Sequence, residues 1–151
     1  NTCLIDNSLS TMAWTLPGSI GASIAKPRVP VLAVMGDGSF LMNVQEIETA
    51  VRCSSRVVIL VWVDSSYGLI KWKMDLHDGD HEFVDFKNPD VVKLAASFGA
   101  RGHRVESADD LYPVLRQALR EPSGVDVISC PVDYGENMKL ISKLGDLEFE
   151  N

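Results

Sequence analysis

Two unbroken apolar runs, PVLAVM at 30–35 and RVVILVWV at 56–63, flank a segment with a different rhythm. Uninterrupted runs rich in Val and Ile suit strands covered on both faces, as inside a parallel sheet. Between them, in NVQEIETAVRCS, Val44, Ile47, Ala50 and Val51 recur at helical spacing, and Asn43 followed by Glu46 predicts the start of that helix. Strand, helix and strand in this order make a crossover unit, and such units commit a chain to parallel strands with helices on the faces. Further along, Asn88-Pro89 is expected to start a helix through Val91, Leu94 and Phe98 that stops at Gly99. A short strand at 101–105 follows. Ser107 and Asp110 then form a capping box for a helix carrying Leu111, Val114, Leu115, Ala118 and Leu119. Pro122-Ser-Gly124 ends it, and VDVISCPV at 125–132 reads as the last core strand. The fold class is α/β: a doubly wound, mainly parallel sheet with helices on both faces, one domain over residues 1–151. A domain of this size buries about 70% of its unfolded surface.

Composition narrows the function. The net charge is −7 and no Lys/Arg cluster stands out, so nucleic acid is not the expected ligand, because phosphate-backbone binding needs a basic face. No apolar run reaches the length of a membrane span, and no leader segment is expected. Cys3, Cys53 and Cys130 lack metal-ligand spacing; Cys53 and Cys130 lie in apolar periodic segments and are expected as buried free thiols of a cytoplasmic protein. The chain opens without methionine and enters a motif-like segment at once, which suggests a piece of a longer polypeptide or one subunit of a split enzyme. The acidic stretch 75–88, DLHDGDHEFVDFKN, has no periodicity and reads as a surface loop in which His77 and His81 are solvated side chains. Trp62, Trp72 and Tyr67 read as core or interface groups.

In an open parallel sheet the ligand site lies beyond the carboxyl ends of the strands. The first expected strand ends in Gly36-Asp37-Gly38-Ser39 and the second in Asp64-Ser65-Ser66-Tyr67-Gly68, with the two aspartates 27 positions apart. If these strands are neighbours, both carboxylates reach one crevice, since adjacent strands lie ~4.8 Å apart. Two such carboxylates repel unless a cation separates them, and a hard divalent ion such as Mg²⁺ takes oxygen ligands and leaves positions for phosphate oxygens. Glycines let backbone N–H groups approach a phosphate with no Cβ in the way. Helices starting near residue 43 and near Gly68 can turn their positive ends toward the same anion. These residues therefore point to a metal-bridged di- or triphosphate site.

A GDG triplet followed after some 25 residues by Asn or Asp and a short turn resembles the diphosphate-binding domain of thiamine diphosphate enzymes. Gly36-Asp37-Gly38 and Asp64-Ser65-Ser66 fit that pattern. The segments STMAWTLPGSIGAS (10–23), QEIETAVR (45–52), SFGARGHRVES (97–107) and PVDYGEN (131–137) are also similar to the family, especially to acetolactate synthases of the catabolic type. The resemblance implies that Asp37 and Asp64 ligate Mg²⁺ through carboxylates and Ser66 through its carbonyl. It implies that Gly36, Gly38 and Ser39, with backbone groups around Tyr67, Gly68 and Leu69, hold the diphosphate of thiamine diphosphate. Met12, 25 positions before Asp37, falls where the family wedges a large apolar residue between the two cofactor rings, with backbone near Ser10 and Met12 at the aminopyrimidine edge.

The implied reaction is decarboxylation of a 2-oxo acid and carboligation to a second one. It needs a glutamate beside the pyrimidine ring, which the family supplies from a pyrimidine-binding domain, usually of a neighbouring subunit. No segment here matches that domain, so a partner domain, a homo-oligomer and an inactive isolated chain are expected. Glu46 and Glu48 read as cap and surface residues. Lys73 stands where catabolic members tend to carry glutamine near the substrate, and SLST (8–11) lacks the glycines usual before the wedge. Two other readings remain open: a domain or β subunit of a 2-oxo acid decarboxylase of the sulfopyruvate or phosphonopyruvate type, and a non-catalytic phosphate-binding module. A receiver-type phosphorylation domain would need paired acids at the end of its first strand, where only one is present.

Overall fold

The expected crossover unit is the centre of the fold. In the computed structural model, which describes residues 3–7 and 9–136, β1 (Val31–Gly36) and β2 (Val57–Val63) run parallel as hydrogen-bonded neighbours, with Val31 opposite Val57 and Gly36 opposite Trp62. Asn137 of the PVDYGEN segment lies outside the described residues. On the far side of β2 comes β4 (Val125–Pro131), then β3 (Arg101–Arg104), so the sheet order is β1-β2-β4-β3 with every pairing parallel. The α/β class, with a parallel sheet and helices on both faces, is therefore as the residue patterns predict.

Side chains alternate across the sheet. One face presents Ala33, Met35, Val57, Ile59, Val61, Val125 and Val127 to a buried cluster. It is closed by α1 (Thr15–Ala25) through Leu16 and Ile20, α3 (Glu46–Arg52) through Ile47 and Ala50, and α5 (Val91–Ser97) through Val91 and Ala95. The other face packs Val58, Leu60, Ile128 and Cys130 against Leu111, Leu115 and Ala118 of α6 (Ala108–Arg120). That helix covers only part of its face, and Leu32, Val34 and Trp62 toward the β1 edge stay about 40% exposed. The capping box of α6 forms as expected, with Ser107 N donating to Asp110 Oδ2 at 2.9 Å. No helix among the described residues is long and apolar enough to cross a membrane.

Four expectations are corrected. The helix expected from residue 43 is present as α3 but starts at Glu46, and a separate helix not expected from the sequence, α2 (Asp37–Met42), starts at the GDG turn before it. Asn43 is not the N-cap of α3; it is the C-cap of α2 and donates its side-chain amide to Ala13 O at 3.1 Å. The helix expected at Asn88-Pro89 starts two residues later, because Asp90 accepts from Val92 N and Lys93 N and is the better cap. The stretch 75–88 is not all surface loop: α4 (Gly68–Asp78) takes its first residues, and the remainder straps the β2–α4 turn. In that strap Tyr67 N donates to Val84 O at 2.9 Å, Phe86 N to Ser65 O at 3.0 Å, and Val84 is buried. Cys53 is exposed, since it follows the last turn of α3, whereas Cys130 is buried as expected.

Phe40, fully buried on α2, anchors the helix that starts at Asp37. Truncation of Phe40 to Ala is expected to lower stability by about 3–5 kcal/mol through lost burial and an unfilled cavity, read from the midpoint shift in urea unfolding.

Candidate functional site

Asp37 is the first residue after β1 and is 1% exposed. A buried carboxylate needs its lone pairs satisfied, and three donors do this. Gly38 N reaches Oδ1 at 2.8 Å, Ser65 N reaches Oδ2 at 2.8 Å, and Asn88 Nδ2 reaches the same Oδ2 at 2.6 Å. Asp64, at the end of β2, is half-buried; it accepts from Ser66 N at 3.2 Å and from Ser66 Oγ at 3.1 Å. Because β1 and β2 are neighbours, the two carboxylates face one crevice. Burial first, and then the charge of Asp37, push the Asp64 carboxyl above its ordinary value, against the two hydrogen bonds from Ser66. Burial and the same two aspartates also push the Tyr134 phenol up.

Two glycines are required by close approach. A Cβ on Gly38 would lie 2.8 Å from Tyr67 Cε1, and one on Gly68 would lie 2.6 Å from Asp64 Oδ2. A Cβ on Gly36 would meet nothing within 4 Å, so its space opens into the cleft. The helix ends α2 and α4 both start at this crevice, at Asp37 and Gly68, so the positive end nearest the GDG turn belongs to α2 rather than to a helix from residue 43.

Met12 is held over this floor by its neighbour. Ala13 N donates to Ser39 Oγ at 2.8 Å and Ala13 O accepts from Asn43 Nδ2, so two side chains one turn apart on α2 clamp residue 13. The loop there is strained, with φ of 49° at Ser10 and 70° at Ala13. Met12 Cε comes within 3.5 Å of where a Gly38 Cβ would be.

Together these residues line a cleft of about 880 Å³. Of the residues singled out from sequence, Met12, Gly36, Asp37, Gly38, Ser39, Asp64, Ser66, Tyr67, Gly68 and Leu69 line it, and Ser10 does not. Lys73 is exposed elsewhere; Lys71 lines the cleft instead and pairs with Asp85 at 2.9 Å. Sequence reasoning missed Lys71, Tyr134, Asn43 and Asn88. Asn88 carried one usable signal: an Asn two residues before a stronger cap, Asp90, is redundant as a cap.

The donor set fits a hard divalent cation with a diphosphate. Two close carboxylates, one with its charged form disfavoured, are what a cation relieves, and Mg²⁺ is bound by one or two carboxylates with phosphate oxygens and water completing its shell. Among the described residues no group of three or more His, Cys, Asp or Glu side chains is arranged for a metal, so further ligands have to come from backbone oxygen and from the bound molecule. In the 75–88 stretch, His81 Nδ1 is engaged by Asp75 at 2.6 Å; His103 Nε2, on β3, lies 2.7 Å from the buried Asp126.

The fold and this crevice define a thiamine diphosphate-binding domain, and the family comparison agrees. The model of the thiamine pyrophosphate enzyme C-terminal TPP-binding domain matches residues 1–129, and the chain belongs to that family. It is 44% identical over 148 residues to the acetolactate synthase of Bacillus subtilis, covering 98% of this chain and 26% of that protein. It is 38% identical over 141 residues to the catabolic acetolactate synthase of Raoultella terrigena, covering 93% of this chain and 25% of that protein. The chain thus spans about a quarter of the length of these relatives. Among solved structures, benzoylformate decarboxylase from Polynucleobacter necessarius superposes with a TM-score of 0.74 at 29% identity, over 82% of this chain and 24% of that one.

The raised carboxyl of Asp64 sets a pH dependence. The folded chain binds that proton more tightly than the unfolded one, so stability falls as pH rises from 3.8, the ordinary value, through the raised one. Asp64→Asn removes this cost. The melting temperature of the metal-free variant should exceed that of the unaltered chain at pH 7, and the gain should shrink toward zero below about pH 4. A gain that is the same at both pH values would contradict the assignment.

Proposed function

We propose that this chain is the cofactor-binding domain of an acetolactate synthase-like carboligase, holding the diphosphate of thiamine diphosphate through Mg²⁺. The observation that carries this reading is the pairing of Asp37 and Asp64 at the ends of two adjacent parallel strands, over a floor that Gly36, Gly38 and Gly68 keep open. The relatives at 44% and 38% identity support the carboligase over other chemistries of the family.

In this reading Asp37, Asp64 and the Ser66 carbonyl hold the cation, and backbone groups of Gly36, Gly38, Ser39, Gly68 and Leu69 meet the phosphates. Met12, fixed by the clamp on Ala13, would lie against the rings of the cofactor. Thiamine diphosphate supplies an electron sink for decarboxylating a 2-oxo acid. Leu69, Ile70 and Trp72 give the cleft an apolar wall, exposed at Leu69 and Ile70, against which a partner domain would shut out water. The activating glutamate comes from a pyrimidine-binding domain, in a homo-oligomer whose site is completed by that partner. A decarboxylase that releases an aldehyde is the second reading, supported by the likeness to benzoylformate decarboxylase; product analysis with pyruvate separates the two.

Calorimetric titration with thiamine diphosphate tests the site. Binding is expected to require Mg²⁺ and to be lost in Asp37→Ala. Met12→Ala is expected to weaken thiamine diphosphate about tenfold, the worth of burying a methionine side chain against the rings, while leaving inorganic pyrophosphate binding unchanged. A plain phosphate-binding module would be indifferent to that substitution.

A further inference from the structure

We propose that Asn88 is a positioning residue for the cation site, one that selects which oxygen of Asp37 is offered to the metal. The inference rests on the reading of Asp37 as a cation ligand. Asp37 Oδ2 accepts two hydrogen bonds, from Asn88 Nδ2 at 2.6 Å and from Ser65 N at 2.8 Å, whereas among the described residues Oδ1 accepts one N–H, from Gly38 at 2.8 Å, with the carboxyl of Asp64 as neighbour to the carboxylate. The oxygen with more coordinating capacity left is therefore Oδ1, and without the Asn88 bond each oxygen would accept one, so Asn88 creates that asymmetry. The same Nδ2 lies 3.2 Å from Ser65 Oγ, so the amide also ties the β2–α4 turn to the carboxylate.

The other end of the amide argues that Asn88 is there for its donor. Its Oδ1 is buried and has no hydrogen-bond partner among the described residues. A buried acceptor left unmet works against stability, so what this amide contributes comes through its donor end. Nor is Asn88 needed to start α5, which Asp90 caps. Charge completes the argument. A lysine or arginine here would orient the carboxylate but compete with the cation for it; an amide orients it without adding charge. The residue is delivered to the site by the strap, whose backbone bonds to Ser65 and Tyr67, ring contact between Tyr67 and Phe86 (centroids 5.1 Å apart) and Lys71–Asp85 pair fix the approach of the segment leading to Asn88.

The test is Mn²⁺ binding to the full-length protein in the presence of thiamine diphosphate, read by electron paramagnetic resonance from loss of the free-ion signal and from the line shape of the bound ion. Asn88→Leu keeps the volume and removes both the donor and the orphan acceptor. It is expected to weaken Mn²⁺ about tenfold, as for loss of a hydrogen bond to a charged group, and to broaden the bound-ion spectrum, while the melting temperature without ligand falls because buried Asp37 loses a donor. Should Asn88→Leu fail to fold, Asn88→Ser, which shortens the side chain by its amide, carries the same expectation for affinity. Asp37→Asn is the reference variant. If it binds Mn²⁺ as well as the unaltered protein, the reading of the cation site is wrong. If it loses binding while the Asn88 variants stay within twofold of the unaltered protein with an unchanged spectrum, the role assigned to Asn88 is overturned and the cation site stands.

Discussion

A single buried carboxylate organises the functional end of this domain. Asp37 sits where β1 stops, out of contact with water, and an ionised group in that position is tolerated only with its lone pairs met. The donors that meet them come from three separate pieces of chain: the start of α2, the end of β2 and the segment that leads into α5. The segment at 79–90 is in turn bonded to the turn carrying Ser66 and Tyr67. The crevice is therefore not a gap left between elements; it is built around one charge whose satisfaction requires β1, β2 and the strap to be in place together.

The core strands were readable, although their order β1-β2-β4-β3 was not, since a run carries no mark of its neighbour. Parallel strands buried on both faces leave unbroken apolar runs, and PVLAVM and RVVILVWV are such runs. The pairing of Asp37 with Asp64 was readable for the same reason, once strand ends were located. What escaped were contacts with no local signature. A bond from Asn88 to a carboxylate 51 positions away, or from Asn43 to Ala13 30 positions away, imposes no periodicity on the sequence. Both asparagines look like helix caps, which is the commoner use of that residue next to a helical pattern. The helix α2 was hidden because six residues with a glycine near the start carry too little pattern to be distinguished from a turn. Leu76 belongs to the helix hidden within the acidic stretch, yet it is exposed, so polarity and helicity were not exclusive there.

The cleft has a division of labour along its length. Its floor is polar and stiff, made of strand ends, helix starts and two glycines that a Cβ would crowd. Its upper wall is apolar and set by a loop in unfavourable backbone geometry at Ser10 and Ala13. Ser39 and Asn43 hold Ala13 through both its amide and its carbonyl, which offsets part of that strain and couples the loop to the helix that begins at Asp37. Displacement of α2 would move Asp37 and the methionine wall together. A ligand that spans from one to the other is thus measured against a fixed length.

The two margins of the sheet differ in a way that bears on handling rather than chemistry. On the β3 side the margin is four residues long and carries Arg101, His103 and Arg104, a short charged border of the kind that discourages further strand addition. On the β1 side it is six residues long and apolar, with Leu32 and Val34 open beside it. Main-chain groups on that side present a ready template for another extended chain. Among the described residues β1 is the margin more open to strand addition, and charge placed at Leu32 or Val34 would guard it away from the crevice at the end of the strand.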